Sequence, residues 1–153
     1  MTTQSALERD VILVRISGIE GELAELRKLA AEPLETFASG TGHKLAQYHL
    51  HRALEGVFHI TAHILARVPG GQATQYKELA LKLGELGVVP KEFAQEKLTT
   101  MARYRNRLVH FYAQITPEEL YNIIQKDLGD FTVFLTGIKN LLEHPKTFGL
   151  TVG

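Results

Sequence analysis

The sequence predicts an all-α protein, an antiparallel four-helix bundle with one short additional helix. Three observations carry this. Apolar residues recur at steps of three and four through nearly all of the 153-residue chain, the spacing of a single helix face. Proline and glycine clusters fall between those runs, where they stop helices. No stretch alternates apolar and polar residues between turn signals, so no strand competes.

The first helix carries Ile12, Ile16, Ile19, Leu23 and Leu26 as one stripe. Gly18 and Gly21 weaken it slightly and predict points where another backbone comes close. The second runs over about residues 44–66, with Leu50, Leu54, Val57, Phe58, Thr61 and Leu65 inward, until "VPGGQ" at 68–72 stops it. A short helix follows near residues 75–83, and "GVVPKE" at 87–92 breaks the chain and restarts it as the third long helix. "TPEE" at 116–119 starts the last: Thr116 caps, Pro117 takes the first turn and Glu119 closes a capping box. That helix then repeats Leu120, Ile124, Leu128, Phe131, Leu135, Ile138 and Leu142. No repeat, low-complexity tract or linker interrupts the chain, so residues 1–153 read as one domain.

Composition excludes several functions. Lys+Arg and Asp+Glu are equal at 17 each, so affinity for a polyanion must come from local clustering. There is no cysteine, which removes disulfides, thiol catalysis and thiolate zinc sites. The N-terminus lacks a signal-like apolar run, and no window approaches the ~20 apolar residues of a membrane span. The expectation is a soluble, cytoplasmic protein without membrane contact.

Charge does cluster at "ARYRNRLVHFYAQ", residues 102–114: between Glu96 and Glu118 stand Lys97, Arg103, Arg105 and Arg107, with no acid. The third helix reads Ala94, Leu98, Met101, Arg105, Leu108 and Tyr112 as a core stripe, so Arg105 occupies an aliphatic position. A guanidinium there must be paired or reach solvent. Two readings stand: a salt bridge to a glutamate of a neighbouring helix, or an open cleft or dimer seam where Arg105 meets a phosphate. Arg103, Arg107 and His110 fall nearly opposite, with Asn106 at the edge of that side. On an ideal helix Arg105 and His110 lie about 140° apart. To act on one substrate, the helix must loosen before His110 or the residues must converge across two chains.

Arg105, Asn106, His110 and Tyr112 carry a resemblance. They match the R-x4-H-x-Y motif of HEPN proteins, and with the Arg-Asn pair the chain resembles the HepT-like branch over essentially its full length. The resemblance implies a metal-independent, cofactor-free ribonuclease toxin of the type VII-like (MNT-HEPN) kind, working as a homodimer on tRNA or mRNA. It also implies a minimal nucleotidyltransferase antitoxin that adenylylates the motif tyrosine, here Tyr112.

The chemistry suits these residue types. Attack by the ribose 2′-hydroxyl gives a 2′,3′-cyclic phosphate and a 5′-hydroxyl, and needs a base, an acid and a cation. Histidine serves as base or acid, arginine binds phosphate bidentately, and Asn106 could hold His110 or a phosphate oxygen. One motif histidine cannot be both base and acid in a turnover, which a two-fold composite cleft would remedy. Arg103 and Arg107 would grip RNA backbone, or form a solvated basic face. The alternative function is a non-catalytic helical module that binds a nucleotide or a nucleotidyltransferase partner.

Other candidates are weaker. His59 and His63 are spaced i, i+4 but lack a third ligand nearby in sequence, which favours core or groove histidines over a metal. His43, His49, His51 and His144 read as dispersed and solvated. "GTGHK" at 40–44 reads as a helix lead-in rather than a phosphate loop.

Overall fold

The computed structural model describes residues 5–110 and 115–153. These form α1 (Arg9–Ala30), α2 (Leu34–Ser39), α3 (Gly42–Leu65), α4 (Tyr76–Leu86), a turn of α5 (Lys91–Phe93), a π-helical turn (Ala94–Leu98), α6 (Thr99–Val109), α7 (Pro117–Lys126), α8 (Gly129–Glu143) and a terminal 3-10 turn (Pro145–Phe148). The fold is all-α, as the spacing predicts. No helix among the described residues is long and apolar enough to cross a membrane.

Each apolar stripe faces the core. Ile12, Ile16, Ile19, Leu23 and Leu26 of α1 are buried, as are Leu50, Leu54, Val57, Phe58, Thr61 and Leu65 of α3. Contacts along α1 and α3 run in opposite order: the Glu8 N–H donates to His63, Ile19 packs on Gly56, and Glu22 meets His49 and Arg52. The two helices are therefore antiparallel. α8 also runs against α1, with Arg9 donating to the Leu142 carbonyl and Lys139 pairing with Glu20. Among the described residues one parallel bridge, Leu7 to Val152, ties the segment before α1 to the segment after the terminal 3-10 turn.

Three local expectations need correction. A Cβ at Gly18 or Gly21 would meet nothing within 4 Å. The close approaches occur at Gly56, where an added Cβ would lie 2.7 Å from Ile19 Cγ1, and at Gly137, where it would lie 2.3 Å from the Val88 carbonyl oxygen. The last long helix is two helices. Asp127, a poor helix former, leaves helical geometry (φ −109°, ψ 1°) and Gly129 opens α8, while Leu128 stays buried so the stripe continues. α2 is an element the spacing does not announce. Pro33 precedes it, and the buried Phe37 packs on Tyr121 of α7 with ring centroids 5.1 Å apart.

The third long helix is continuous from Lys91 to Val109 but loosens to π geometry at Ala94–Leu98. Ala94, Leu98 and Met101 are buried as the stripe requires, which fixes the rotational setting of the arginine-rich turns beyond them.

Candidate functional site

α6 ends at Val109. His110 is exposed and extended (φ −106°, ψ 121°), and its N–H makes a long 3.4 Å bond to the Arg107 carbonyl. The 140° separation of an ideal helix therefore does not apply, because the helix stops one residue before the histidine.

His110 opens onto a groove of about 720 Å³. Among the described residues its walls include His43, Lys44, Gln47 and His51 of α3, Arg107 and His110 at the end of α6, and Thr116 at the start of α7. Arg105 and Asn106 are not among the lining residues.

Arg105 takes the paired option. Its Nε donates to Glu55 Oε1 at 2.5 Å, its guanidinium sits 4.2 Å from the Tyr76 ring centroid, and Nη1 donates to Asn106 Oδ1 at 3.4 Å. The aliphatic position is thus filled by a cation that is both paired and stacked. Glu55 is shared: His51 Nε2 lies 3.5 Å from Oε1 and His59 Nε2 lies 3.5 Å from Oε2. Through this carboxylate, Arg105 is one residue removed from the groove wall that His51 forms.

Arg107 is held differently. Nη1 and Nη2 donate to the two carboxylate oxygens of Glu119 at 2.6 and 2.9 Å, joining α6 to the first turn of α7. The Arg107 hydrogen bond holds the Glu119 carboxyl below the usual carboxylate range despite partial burial. Tyr104 donates to the same carboxylate at 3.3 Å, and burial followed by the Glu119 charge pushes its phenol up. The capping box is consequently half formed. Thr116 Oγ1 accepts from the Glu119 N–H at 3.1 Å, as expected, but the Glu119 side chain is drawn to Arg107 and Tyr104. Arg103 is exposed on α6, and Tyr112 lies outside the described residues.

The other histidines have separate surroundings. His49 Nδ1 lies 2.5 Å from Glu22, which Arg52 also binds, and His63 Nε2 accepts from the Glu8 N–H. Burial, reinforced by Arg67, pushes His63 below the usual histidine value. Among the described residues no group of three or more His, Asp or Glu is arranged to hold a metal. His43 and His51 are not the solvated histidines their dispersal suggests, because both line the groove and are half-buried. A signal for them exists in the sequence: His43, Gln47, His51, Glu55 and His59 stand at four-residue steps, a polar ladder along one helix.

Comparison with known proteins bears on this site. The family described as ribonuclease HepT-like matches residues 19–138. A curated relative, the tRNA nuclease HepT of Aphanizomenon flos-aquae (strain 2012/KM1/D3), is 25% identical over 137 residues, covering 89% of this chain and 92% of the relative. Two solved structures share the fold. A toxin–antitoxin with AMP-PNP superposes with a TM-score of 0.77 at 20% identity, covering 86% of this chain and 98% of the other. A mutant MntA–HpeT toxin–antitoxin gives 0.75 at 21% identity with the same coverages. With the family match running from Ile19 through the groove and the arginine-rich turns, the chain belongs to the HepT-like ribonuclease family.

Proposed function

We propose that this chain is a metal-independent endoribonuclease toxin that cuts tRNA or mRNA in the groove between α3 and the end of α6. The observation that carries the reading is the position of His110, exposed just past the helix end and facing a groove that also holds Lys44 and Arg107. Membership of the HepT-like family and the tRNA nuclease relative support the substrate class.

In this reading the ribose 2′-hydroxyl attacks the adjacent phosphorus and the 5′-oxygen departs, leaving a 2′,3′-cyclic phosphate. His110 moves a proton and Arg105 stabilises the charge developing on phosphorus. Asn106, against the Arg105 guanidinium, sets its angle. Arg103, exposed on α6, grips RNA backbone, while Arg107 shapes the groove wall more than it binds phosphate because Glu119 already neutralises it. The protein works in the cytoplasm as a homodimer. A nucleotidyltransferase antitoxin adenylylates Tyr112, adding negative charge two residues after His110 in the sequence. The toxin–antitoxin assemblies that share this fold support such a partner.

The test is incubation of total tRNA in EDTA with wild type, His110→Ala and Arg105→Ala. Cleavage by the wild type, lost in both variants, with cyclic-phosphate ends, is the expected result. Intact tRNA in every lane would overturn the reading. One observation favours a second reading, a non-catalytic module that binds a nucleotide or nucleotidyltransferase: Arg105 is already bonded to Glu55 and stacked on Tyr76. Stable capture of a nucleotidyltransferase with no RNA cleavage would select it.

A further inference from the structure

We propose that Tyr48 is a base-stacking platform at the rim of the groove: it holds an unpaired nucleobase of the RNA, while Lys44, one helical turn before it, takes that strand's phosphate. The inference rests on the ribonuclease reading and deepens it by naming an unpaired nucleotide as what the groove receives. It assigns no proton transfer, so it holds whether acid and base come from one chain or from two.

Three observations carry it. Tyr48 is 55% exposed, and every other phenylalanine and tyrosine among the described residues is buried or half-buried. Its ring therefore lacks the packing role that the others have. Second, polar neighbours rather than the core hold the ring. The Arg52 guanidinium lies over it, 5.4 Å from the centroid, and the His49 ring meets it in a T-shaped contact with centroids 5.2 Å apart. Glu22 of α1 fixes both neighbours: it accepts from Arg52 Nε at 2.8 Å and lies 2.5 Å from His49 Nδ1. The platform is thus set before a ligand arrives, which lowers the ordering cost of binding.

Third, Tyr48 borders the groove together with Lys44 and His110, and among the described residues no aspartate or glutamate lines it. Residues four apart on a helix are neighbours, so the exposed Lys44 stands beside Tyr48 on α3. An ammonium beside an exposed ring suits the two chemistries of a nucleotide, phosphate to cation and base to π-face. Bases inside a duplex are already stacked on their neighbours, so the ring takes an unpaired one. Every base has such a face, and Tyr48 selects for strand state more than for sequence.

The chain contains no tryptophan, so Tyr48→Trp places a unique fluorophore at the rim and keeps a ring for stacking. The probes are a short single-stranded 2′-O-methyl RNA, which has no 2′-hydroxyl to attack, the same strand annealed to its complement, and inorganic polyphosphate. The unpaired strand should quench the tryptophan saturably, while duplex and polyphosphate leave it within error. Equal quenching by duplex or polyphosphate overturns the stacking assignment. Single-turnover cleavage of total tRNA in EDTA is the second readout, with melting temperature and light scattering as controls. Tyr48→Leu keeps bulk without a π-face and should raise the half-saturating protein concentration about 10–100-fold, with little of the loss in the rate at saturation. Tyr48→Trp should recover most of that loss. A Tyr48→Leu protein that saturates like the wild type overturns the platform and leaves the ribonuclease reading standing. One that scatters as a smaller species than the wild type assigns Tyr48 to a subunit contact and also overturns it. A wild type that leaves tRNA intact, while the unpaired strand still quenches Tyr48→Trp, removes the ribonuclease reading and supports Tyr48 as a base site of the non-catalytic module.

Discussion

Arg105 and Arg107 lie two residues apart on α6 and each binds one glutamate, but the two pairs differ in geometry. Arg107 meets Glu119 fork to fork, with both terminal nitrogens on both carboxylate oxygens. That pairing joins α6 to the first turn of α7 and uses the guanidinium fork on the protein itself. Arg105 meets Glu55 through Nε, and its carboxylate partner also faces the imidazoles of His51 and His59. The comparison teaches that a salt bridge alone does not mark a structural arginine. What matters is which edge of the guanidinium is used and what else the carboxylate touches.

The contrast breaks most easily on activity. Arg105→Lys, which loses the planar fork, should slow tRNA cleavage about 10²–10³-fold, the cost of one transition-state donor. Arg107→Lys should stay within tenfold of wild type in the same single-turnover assay. Equal losses would erase the distinction. The next effect is on stability. The coupling of Arg107 to Glu119, from a double-mutant cycle with Arg107→Ala and Glu119→Ala, should be about 1 kcal/mol, because both side chains are about one-third exposed and screened. In a chain of this size that corresponds to a melting shift of about 2–4 °C. A coupling near zero would mean that the clamp is a static contact without energetic weight.

How far the sequence foretold this arrangement differs by level. The stripes on α1, α3 and the α7–α8 pair are buried at the positions their spacing marks, because burial follows helix periodicity directly. Gly18 and Gly21 mislead, since close packing is a property of two facing surfaces: the glycine that matters, Gly56, is set by Ile19 opposite it. The break at Asp127 is hidden because the apolar stripe runs through it. At the site, a stripe position for Arg105 implies a carboxylate partner, but not which one, because Glu55 is fifty residues away and reached only through tertiary packing. His51 is readable only as one rung of the ladder from His43 to His59, and is lost when each histidine is weighed singly.

A smaller effect separates the pairs by pH. Arg107 depresses the folded-state value of Glu119, so the stability this contributes is complete above the unfolded carboxylate value of about 4.3 and is lost as pH falls through the lower folded value. Wild type should therefore lose more melting temperature than Arg107→Ala between about pH 5 and 3, where the unfolded and then the folded carboxyl titrate. Parallel curves would show that Arg107 does not set the Glu119 carboxyl.

The smallest effect concerns Arg103, which pairs with no carboxylate among the described residues and is exposed on α6. Without a protein anion to neutralise it, it keeps its full charge for a phosphate, which neither of its neighbours does to the same degree. A single phosphate contact contributes through counterion release, so Arg103→Ala should reduce the slope of log binding constant against log salt by about 0.7–1, weakening tRNA binding only a few-fold at moderate salt. Arg107→Ala should leave that slope within error, since its loss frees Glu119 rather than removing an unpaired cation. If the slopes shift the other way, Arg107 holds the RNA and the Glu119 clamp opens on binding. The fork-to-fork pair would then be a resting state rather than a fixed strut.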